Sequence, residues 1–518
     1  MHTPRARRSS TLWAARWAVV LSVPLVGAAV LIATAVPREP LVLVATAALA
    51  LGSAPVWASA LNQLALAVRA VARPRIRADR IQGPDARRIA VVMCVADDFD
   101  AERARDCLRQ DVPVEFLLLD DSATAAGRAA VDRFAARHPT RVVRRADRTG
   151  FKGGNLSHAL AVAPDAPGLW LLVDSDQSLP VDAARRLRER MLPGVAIAQG
   201  RPVPRPGSTW FARLLEGLLA THLDVAQRGR SAPWFLGRVA MLDADAVRAV
   251  GGVPGQVMED IALTLELRRA GFRVVDVPEL RGEEEAPVDL RAFRVQQLKF
   301  LAGAVELLRR SGTRIARAPI PLAERLELLL GHLLVPAAVL GGALALVGVG
   351  VLATLHAMPP GAALAGLLAG LAPFVPELTR LIRRRRPLAA LGVAVVLPAL
   401  YGTLLVAAVS TVLRLLAGAP AVFRVTPKAA STSGLALTIT RYRLELATAA
   451  LGLALLPLAP AFAPPLAAPA VGSLAFELVR GYSATTSNSP RATRTRIRAP
   501  RLTSAASRTT ASPARTTA

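Results

Sequence analysis

Leu172-Val173-Asp174-Ser175-Asp176-Gln177-Ser178 is an apolar strand pattern that ends in two aspartates one residue apart. At the end of a strand, residues i and i+2 point to the same side, so Asp174 and Asp176 can converge on one hard cation. Carboxylate oxygens suit Mg²⁺ or Mn²⁺, and such a cation can hold a diphosphate. The Asp-x-Asp pattern is also common in turns, so the pair alone leaves a metal site and a plain turn open.

Composition places this strand in a membrane protein. The chain has 518 residues, 53% of them hydrophobic, and it contains several uncharged stretches. Roughly 20 apolar residues suffice to cross a bilayer as a helix. The sequence therefore predicts a multi-pass membrane protein, with Pro359-Pro360-Gly361 as the turn between two spans. The apolar stretches cover residues 17–36, 41–68, 328–376, 387–413 and 446–476.

The net charge of +26 is concentrated beside these stretches. Arginines precede the first stretch at Arg5, Arg7 and Arg8, and they follow later ones in segments 69–80 and 380–386. The positive-inside rule predicts this placement for cytoplasmic flanks. Anionic membrane lipids are therefore expected as partners, and nucleic acid is not.

The charge pattern divides the chain into four parts. We expect an N-terminal transmembrane hairpin over residues 1–74, retained rather than cleaved as a signal peptide, and a cytoplasmic domain over 75–325. Transmembrane or interfacial helices would follow over 326–480, and a basic tail over 481–518 has a disordered composition. Cys94 and Cys107 form no metal-binding spacing, and a cytoplasmic location disfavours a disulfide.

The central region alternates strand and helix patterns, which is typical of a parallel, doubly wound sheet. Strands are predicted over 89–96, 114–119, 141–144 and 168–173, and helices over 100–110 and 125–137. Ligands of such sheets gather at the carboxyl ends of the strands. Acidic pairs follow three of these strands, namely Asp97 and Asp98, Asp120 and Asp121, and Asp174 and Asp176. Each pair could also be a helix cap or a turn.

A glycine-rich segment, residues 148–156, lies between the second and third acidic pairs. Glycines permit close backbone approach, and Lys152 could meet a phosphate as a point charge. A flexible surface loop is the alternative interpretation.

With these residues aligned, the chain resembles the membrane-bound processive branch of glycosyltransferase family 2, which includes cellulose, mannan, hyaluronan and chitin synthases. The resemblance covers residues 88–430 and implies an α/β GT-A (Rossmann-like) cytoplasmic domain inserted between transmembrane helices. The family's Arg-x-Gly-x-Lys-x-Gly motif matches Arg148, Gly150, Lys152 and Gly154. The resemblance assigns Asp174 and Asp176 to Mg²⁺ or Mn²⁺. It assigns the nucleotide-sugar to Asp97 or Asp98, Asp120 or Asp121, Lys152, Gly154 and Asp174.

Further motifs follow in the order of the family. Phe235-Leu236-Gly237-Arg238 resembles the acceptor-side Phe-x-Gly-Thr segment, and Gly251-Gly252 follows it. Met258-Glu259-Asp260 resembles Thr-Glu-Asp, which implies that Asp260, next to Glu259, is the general base. Two later segments resemble Gln-Gln-x-Arg-Trp, which meets acceptor and diphosphate, and the Phe-x-Val-Thr-x-Lys gating loop. They are Gln296-Gln297-Leu298-Lys299-Phe300 and Phe423-Arg424-Val425-Thr426-Pro427-Lys428.

The resemblance implies an inverting transfer of a hexose from a UDP- or GDP-sugar to a growing β-glycan at the inner membrane. Transfer of one sugar to a lipid acceptor is an alternative. Three residues, Arg238, Lys299 and Phe300, stand where the family has Thr, Arg and Trp. They motivate a third hypothesis, that the protein is a catalytically degenerate scaffold or partner subunit. If residues 423–428 cap a cytoplasmic site, segment 387–417 must begin and end inside, as an interfacial or re-entrant element broken near Pro398. A plain span is the alternative.

Overall fold

The computed structural model describes residues 4–35, 39–73, 87–207, 209–428 and 435–487. Two long apolar helices come first, α1 (Pro4–Ala33) and α2 (Pro40–Ala72). A domain of seven strands and eight helices follows, and apolar helices resume after it. The described part of the chain thus runs from two long apolar helices through an α/β domain to further apolar helices.

The seven strands form one sheet in the order β3-β2-β1-β4-β6-β5-β7. Their bounds are β1 (Ile89–Val95), β2 (Glu115–Asp120), β3 (Arg141–Val143), β4 (Leu169–Asp174), β5 (Val195–Pro204), β6 (Ala240–Asp243) and β7 (Arg273–Glu284). The first four strands in this order are parallel, as predicted, whereas β6 is antiparallel to both β4 and β5. The sheet is therefore mixed: the four predicted strands are parallel, and the antiparallel β6 is among the three strands that the sequence pattern did not predict.

The reversed strand has a direct effect on the site. Ala240 at the start of β6 pairs with Leu172 near the end of β4. The chain therefore enters β6 from the edge at which the parallel strands end. Residues 237–239 consequently lie beside Asp174, which the alternation of strands and helices alone did not predict.

Helices cover the two faces of the sheet, and the strands supply apolar side chains to both. Met93 and Leu171 are fully buried on one face, and Leu119 and Leu172 on the other. Burial on both faces accounts for the nearly continuous apolar runs in these strands. The helices of the domain are α3 (Ala101–Leu108), α4 (Ala125–Ala135), α5 (Phe151–Val162), α6 (Ala183–Arg188), α7 (Trp210–Gly229), α8 (Ala244–Ala249), α9 (Glu259–Arg269) and α10 (Leu290–Ala316).

The C-terminal part is helical. Its helices are α11 (Leu322–Thr354), α12 (Ala362–Leu371), α13 (Val375–Arg383), α14 (Pro387–Gly402), α15 (Leu405–Leu416), α16 (Leu435–Arg441), α17 (Arg443–Ala454) and α18 (Ala463–Ser487). Five described segments are long and apolar enough to cross a membrane: Ala15–Ala33, Pro40–Ala72, Leu322–Thr354, Ala362–Arg383 and Pro460–Val479. α14 and α15 form a further pair, bent by 41°.

Two boundary predictions require correction. The bend falls between Gly402 and Leu405 rather than at Pro398, which lies inside α14. The hydroxyl of Thr403 donates to the carbonyl of Leu400 at this break. α18 continues to Ser487, into the tail that we expected to be disordered from residue 481, and residues 488–518 lie outside the described part.

Small residues bring α2 and α11 close together. A Cβ atom on Gly52 would lie 2.6 Å from the carbonyl oxygen of Gly341, and one on Gly348 would lie 2.7 Å from that of Ala45. Packing of this kind is a main source of helix association in lipid, where no hydrophobic driving force acts between helices. The N-terminal hairpin and the C-terminal helices therefore form one packed unit.

Candidate active site

A cavity of about 510 Å³ lies at the carboxyl ends of β1 and β4. Residues from α5, α9, α10 and the segment 423–428 close it from the other sides. Its lining includes most of the residues singled out from the sequence. They are Asp98, Asp121, Lys152, Asp174, Asp176, Gly237, Glu259, Asp260, Gln296, Lys299, Phe300, Phe423, Val425, Thr426 and Lys428.

The two aspartates of the Asp-x-Asp pattern both face this cavity. Asp174 is the last residue of β4, and its carboxylate accepts a hydrogen bond from the ammonium of Lys152. The same ammonium donates to the carbonyl of Gly237 at 2.9 Å. Asp176 follows in a turn, where burial raises the pKa of its carboxyl group to about 6. A cation at this position would relieve the cost of burying that charge.

Lys152 and Gly154 lie on the first turn of α5, so the alternative interpretation of this segment as a flexible surface loop does not hold for them. Gly150 has a φ of +74° and forms the N-terminal cap of this helix. A Cβ on Gly153 would overlap the carbonyl oxygen of Pro254, and one on Gly154 would overlap that of Thr149. These two glycines therefore allow close packing of backbone on backbone.

Asp97 and Asp98 have different surroundings. Asp98 lines the cavity, and its Oδ2 accepts hydrogen bonds from the hydroxyl of Ser175 at 2.7 Å and from Lys428 at 2.9 Å. Asp97 has a φ of +64°, and it accepts bonds from the backbone N–H of Thr124 at 2.9 Å and its hydroxyl at 2.6 Å. Asp97 thus anchors the start of α4, and Asp98 is the member of the pair that faces the cavity.

Asp120 and Asp121 each pair with an arginine. Arg144 Nε lies 2.7 Å from Asp120, and the guanidinium of Arg145 binds both carboxylate oxygens of Asp121, at 2.8 and 2.6 Å. Only Asp121 of the two lines the cavity. Sequence reasoning took Arg144 as a strand end and gave Arg145 no role, because the charge partner of each lies 24 residues away.

Glu259 and Asp260 are the first two residues of α9, where helix N–H groups favour negative charge. Burial and the neighbouring Asp260 raise the pKa of Glu259 to about 7. Burial also raises the pKa of Asp260, whose Oδ1 accepts a bond from the N–H of Ile261 at 2.8 Å. A buried carboxylate with a raised pKa is the kind of group that serves as a general base.

Arg238 occupies the position of the family's threonine and forms a two-pronged pair with Glu284. The side chain of Gln177 donates to Glu284 at 3.1 Å and accepts from the N–H of Asp174 at 3.0 Å. This network links Arg238 to the Asp-x-Asp turn. Sequence reasoning missed Glu284 and Gln177, and the acidic run Glu283-Glu284-Glu285 was the available signal.

α10 brings Gln296, Lys299 and Phe300 to the cavity, whereas Gln297 is not part of the lining. The ammonium of Lys299 lies 4.6 Å from the ring centroid of Phe423. That ring stacks on Phe151 with a centroid separation of 5.8 Å. Phe235 is fully buried in the core and does not reach the cavity.

The segment 423–428, which lies between α15 and α16, contacts the α/β domain and forms part of the wall of the cavity. Lys428 is its main polar contact, to Asp98 and to the hydroxyl of Ser175 at 2.5 Å. Its ammonium also lies 3.9 Å from Asp176. Positive charge is thus already held next to the two aspartates.

Among the described residues, no group of three or more His, Cys, Asp or Glu side chains is arranged to hold a metal ion. Asp174 and Asp176 nevertheless supply two hard carboxylate ligands at the cavity wall. Mg²⁺ usually keeps few protein ligands and completes its shell with substrate phosphates and water. The donor set therefore fits a divalent cation that arrives with a diphosphate.

Comparison with known proteins identifies relatives that match part of the chain. It is 26% identical over 218 residues to a glucomannan 4-beta-mannosyltransferase 7 of Arabidopsis thaliana, covering 39% of each chain. It is 29% identical over 163 residues to an N-acetylglucosaminyltransferase of Bradyrhizobium diazoefficiens, covering 29% of this chain and 34% of that protein. The chain thus spans well under half the length of these curated relatives.

Among solved structures, the chain is similar to the mannosyltransferase PcManGT from Pyrobaculum calidifontis, in complex with GDP-Man and Mn2+. The TM-score is 0.47 and the identity 22%, over 68% of this chain and 97% of that one. A family model described as glycosyl transferase family group 2 matches residues 170–439, more than half of the chain. That match begins in β4 and includes Asp174, Asp260, the α10 residues and segment 423–428. The chain belongs to glycosyl transferase family group 2.

Proposed function

We propose that this protein is an inverting hexosyltransferase that moves a sugar from a UDP- or GDP-sugar to a growing β-glycan at the inner membrane. The observation that carries the proposal is the meeting of Asp260 with Asp174 and Asp176 around one cavity. An acidic base and a diphosphate-binding pair are the two parts that a single inverting displacement needs. Transfer to a lipid acceptor remains a competing product class.

Asp260 would take the proton of the acceptor hydroxyl. Its side chain is half-buried, and the N–H of Ile261 holds the orientation of the carboxylate. Gly237 lies beside it, because a Cβ there would be 3.6 Å from Asp260 Oδ2. The absence of a side chain at Gly237 leaves room for an acceptor sugar near the base.

Lys152, Asp174 and Asp176 would receive the leaving diphosphate. A bound Mg²⁺ or Mn²⁺ would supply charge neutralisation for the departing nucleotide. Lys152 is pre-positioned by its bonds to Asp174 and to the carbonyl of Gly237. Asp98 and Asp121 at the adjoining strand ends would meet the nucleoside.

The departures at Arg238, Lys299 and Phe300 favour altered specificity over lost activity. Lys299 keeps a positive charge at the cavity, and Phe300 keeps an aromatic ring there. The ionisable groups needed for base and diphosphate chemistry all line the same cavity. A scaffold without turnover would not require this arrangement.

The test uses inverted membrane vesicles that contain the full chain. UDP- and GDP-sugars are supplied with Mg²⁺ or Mn²⁺, and nucleotide release, product length and anomeric configuration are measured. We expect one donor class to be consumed, with loss of turnover on chelation and in Asp176→Asn. The matched control is Asp165→Asn, since Asp165 forms an exposed pair with Arg141 on the surface. Donor binding without nucleotide release would instead indicate a scaffold.

A further inference from the structure

Glu327 is a buried carboxylate on α11, outside the cavity lining. Its Oε2 accepts hydrogen bonds from the N–H of Ser231 at 2.9 Å and from the Ser231 hydroxyl at 2.5 Å. Its Oε1 accepts from Trp13 Nε1 at 2.7 Å and from Arg16 at 3.1 Å. One carboxylate therefore joins α1, α11 and the segment 230–239.

The segment 230–239 leads from α7 to β6 and carries Gly237 and Arg238 into the cavity. It has no regular secondary structure, and side chains of other elements hold its backbone. The side chain of Gln227 bonds both the N–H and the carbonyl of Trp234. The N–H of Phe235 donates to Thr264, and that of Leu236 donates to Gln199, at 3.0 and 2.9 Å.

α11 makes a second contact with this segment. The indole of Trp234 stacks on His332 with a centroid distance of 5.4 Å and an interplanar angle of 17°. The guanidinium of Arg230 lies 3.6 Å from the centroid of the same indole. α11 thus holds the segment through Glu327 at Ser231 and through His332 at Trp234.

We propose that Glu327 is a positioning residue that fixes the segment 230–239 to the membrane helices and so places Gly237 opposite Asp260. The inference rests on the proposed function and deepens it. Transfer to a sugar hydroxyl requires a precise acceptor position, and an error of about 1 Å can cost roughly 100-fold in rate. Hydrolysis by water is less sensitive, because water needs no fixed binding surface. Glu327 would therefore control the ratio of glycosyl transfer to donor hydrolysis.

The test is Glu327→Gln in the full chain in nanodiscs. The amide keeps the volume, but its NH₂ group cannot accept the bonds that the second carboxylate oxygen accepts. We expect the transfer-to-hydrolysis ratio to fall about tenfold or more, while nucleotide affinity stays within about twofold. Glu327→Asp retains the charge and should recover part of the ratio.

Hydrogen exchange of the peptide covering residues 230–239 provides a readout that needs no turnover. It should become about tenfold faster in Glu327→Gln, because the amide NH₂ must face either the donors of Ser231 or those of Trp13 and Arg16, so that one of the two contacts is lost. The matched control is Glu324→Gln. Glu324 lies on α11, as Glu327 does, and its substitution removes an ion pair with Arg268 of α9. Unchanged hydrogen exchange in Glu327→Gln would overturn the inference. So would a transfer-to-hydrolysis ratio that is the same in Glu327→Gln and in Glu324→Gln. A wild-type chain without turnover would refute the proposed function, and the exchange measurement would still decide the role of Glu327.

Discussion

The ammonium of Lys428 lies 2.9 Å from a carboxylate oxygen of Asp98, although 330 residues separate the two in sequence. This pair joins the segment between α15 and α16 to the residues that follow β1, the first strand of the sheet. The cavity is therefore completed only when the membrane part and the α/β domain are both folded. The following predictions test this arrangement and the roles of the residues around it.

Lys428→Met should reduce glycosyl transfer by about tenfold or more. Methionine keeps an apolar stem but loses the charge that contacts Asp98 and lies near Asp176. Initial rates in nanodiscs at saturating donor would measure the effect. Arg424→Met is the control, because Arg424 is an exposed cation on the same segment. Equal rates for the two variants would contradict a specific role for Lys428.

Asp260→Asn should lower the transfer rate by about 100- to 10,000-fold, the usual contribution of a positioned general base. Nucleotide affinity should change little, since the diphosphate would lie at Asp174 and Asp176. Single-turnover assays and calorimetric titration with nucleoside diphosphate separate the two quantities. Glu266→Gln, on the same helix and paired with Arg269, should keep wild-type turnover. Wild-type rates in Asp260→Asn would remove the base assignment.

The pH dependence of kcat/KM should show activity rising with an apparent pKa near 7. Burial raises the pKa of both Glu259 and Asp260, and Glu259 reaches about 7, so the pair gains its full charge only near neutrality. Glu259→Gln removes one negative charge and should shift the rise in activity to lower pH. A profile that is flat between pH 5 and 8, or one unaltered in Glu259→Gln, would speak against the coupling.

The raised pKa of Glu259 also predicts how the free energy of unfolding changes with pH. Between its ordinary pKa of 4.5 and the folded value of about 7, the folded protein binds more protons than the unfolded chain. The free energy of unfolding contributed by this group should therefore fall as the pH rises through that window. Thermal unfolding at several pH values should show this trend in the wild type and a weaker trend in Glu259→Gln.

Arg238→Thr restores the family's residue but leaves the carboxylate of Glu284 without its two-pronged partner. We expect the free energy of unfolding to fall by about 1–2 kcal/mol, since removal of one member of a partly buried ion pair leaves the other charge without its partner. The double variant Arg238→Thr with Glu284→Gln should recover much of this loss. Thermal unfolding of four proteins, namely the wild type, Arg238→Thr, Glu284→Gln and the double variant, measures the coupling. Additive effects of the two substitutions would show that the pair does not act as a unit.

Gly153→Ala should destabilise the protein by about 1–3 kcal/mol, because the new methyl group would overlap the carbonyl oxygen of Pro254. Separation of α5 from the loop that leads to Asp260 should also slow transfer. Gly168→Ala is the matched control, since a Cβ at that position meets nothing within 4 Å. Equal unfolding free energies and equal transfer rates for the two alanine variants would show that the close packing at Gly153 contributes to neither stability nor activity.

The local pattern of the sequence predicted much of the domain. The apolar runs ending at Asp120 and Asp174 are strands, as expected, because burial on both faces leaves few polar residues in them. The long uncharged stretches became helices for an equally local reason, since their length and composition match a bilayer. The order of motifs likewise indicated the family to which the chain belongs.

The partners of the charged residues required the tertiary structure. Arg145 binds Asp121, Arg238 binds Glu284 and Lys428 binds Asp98, and no sequence spacing connects the members of these pairs. The same holds for the bonds of Glu327 to Ser231 and Trp13. Hydrophobic periodicity and strand-end chemistry are local and can be read from the chain. Ion pairs depend on which elements the fold brings together, and that is decided by packing.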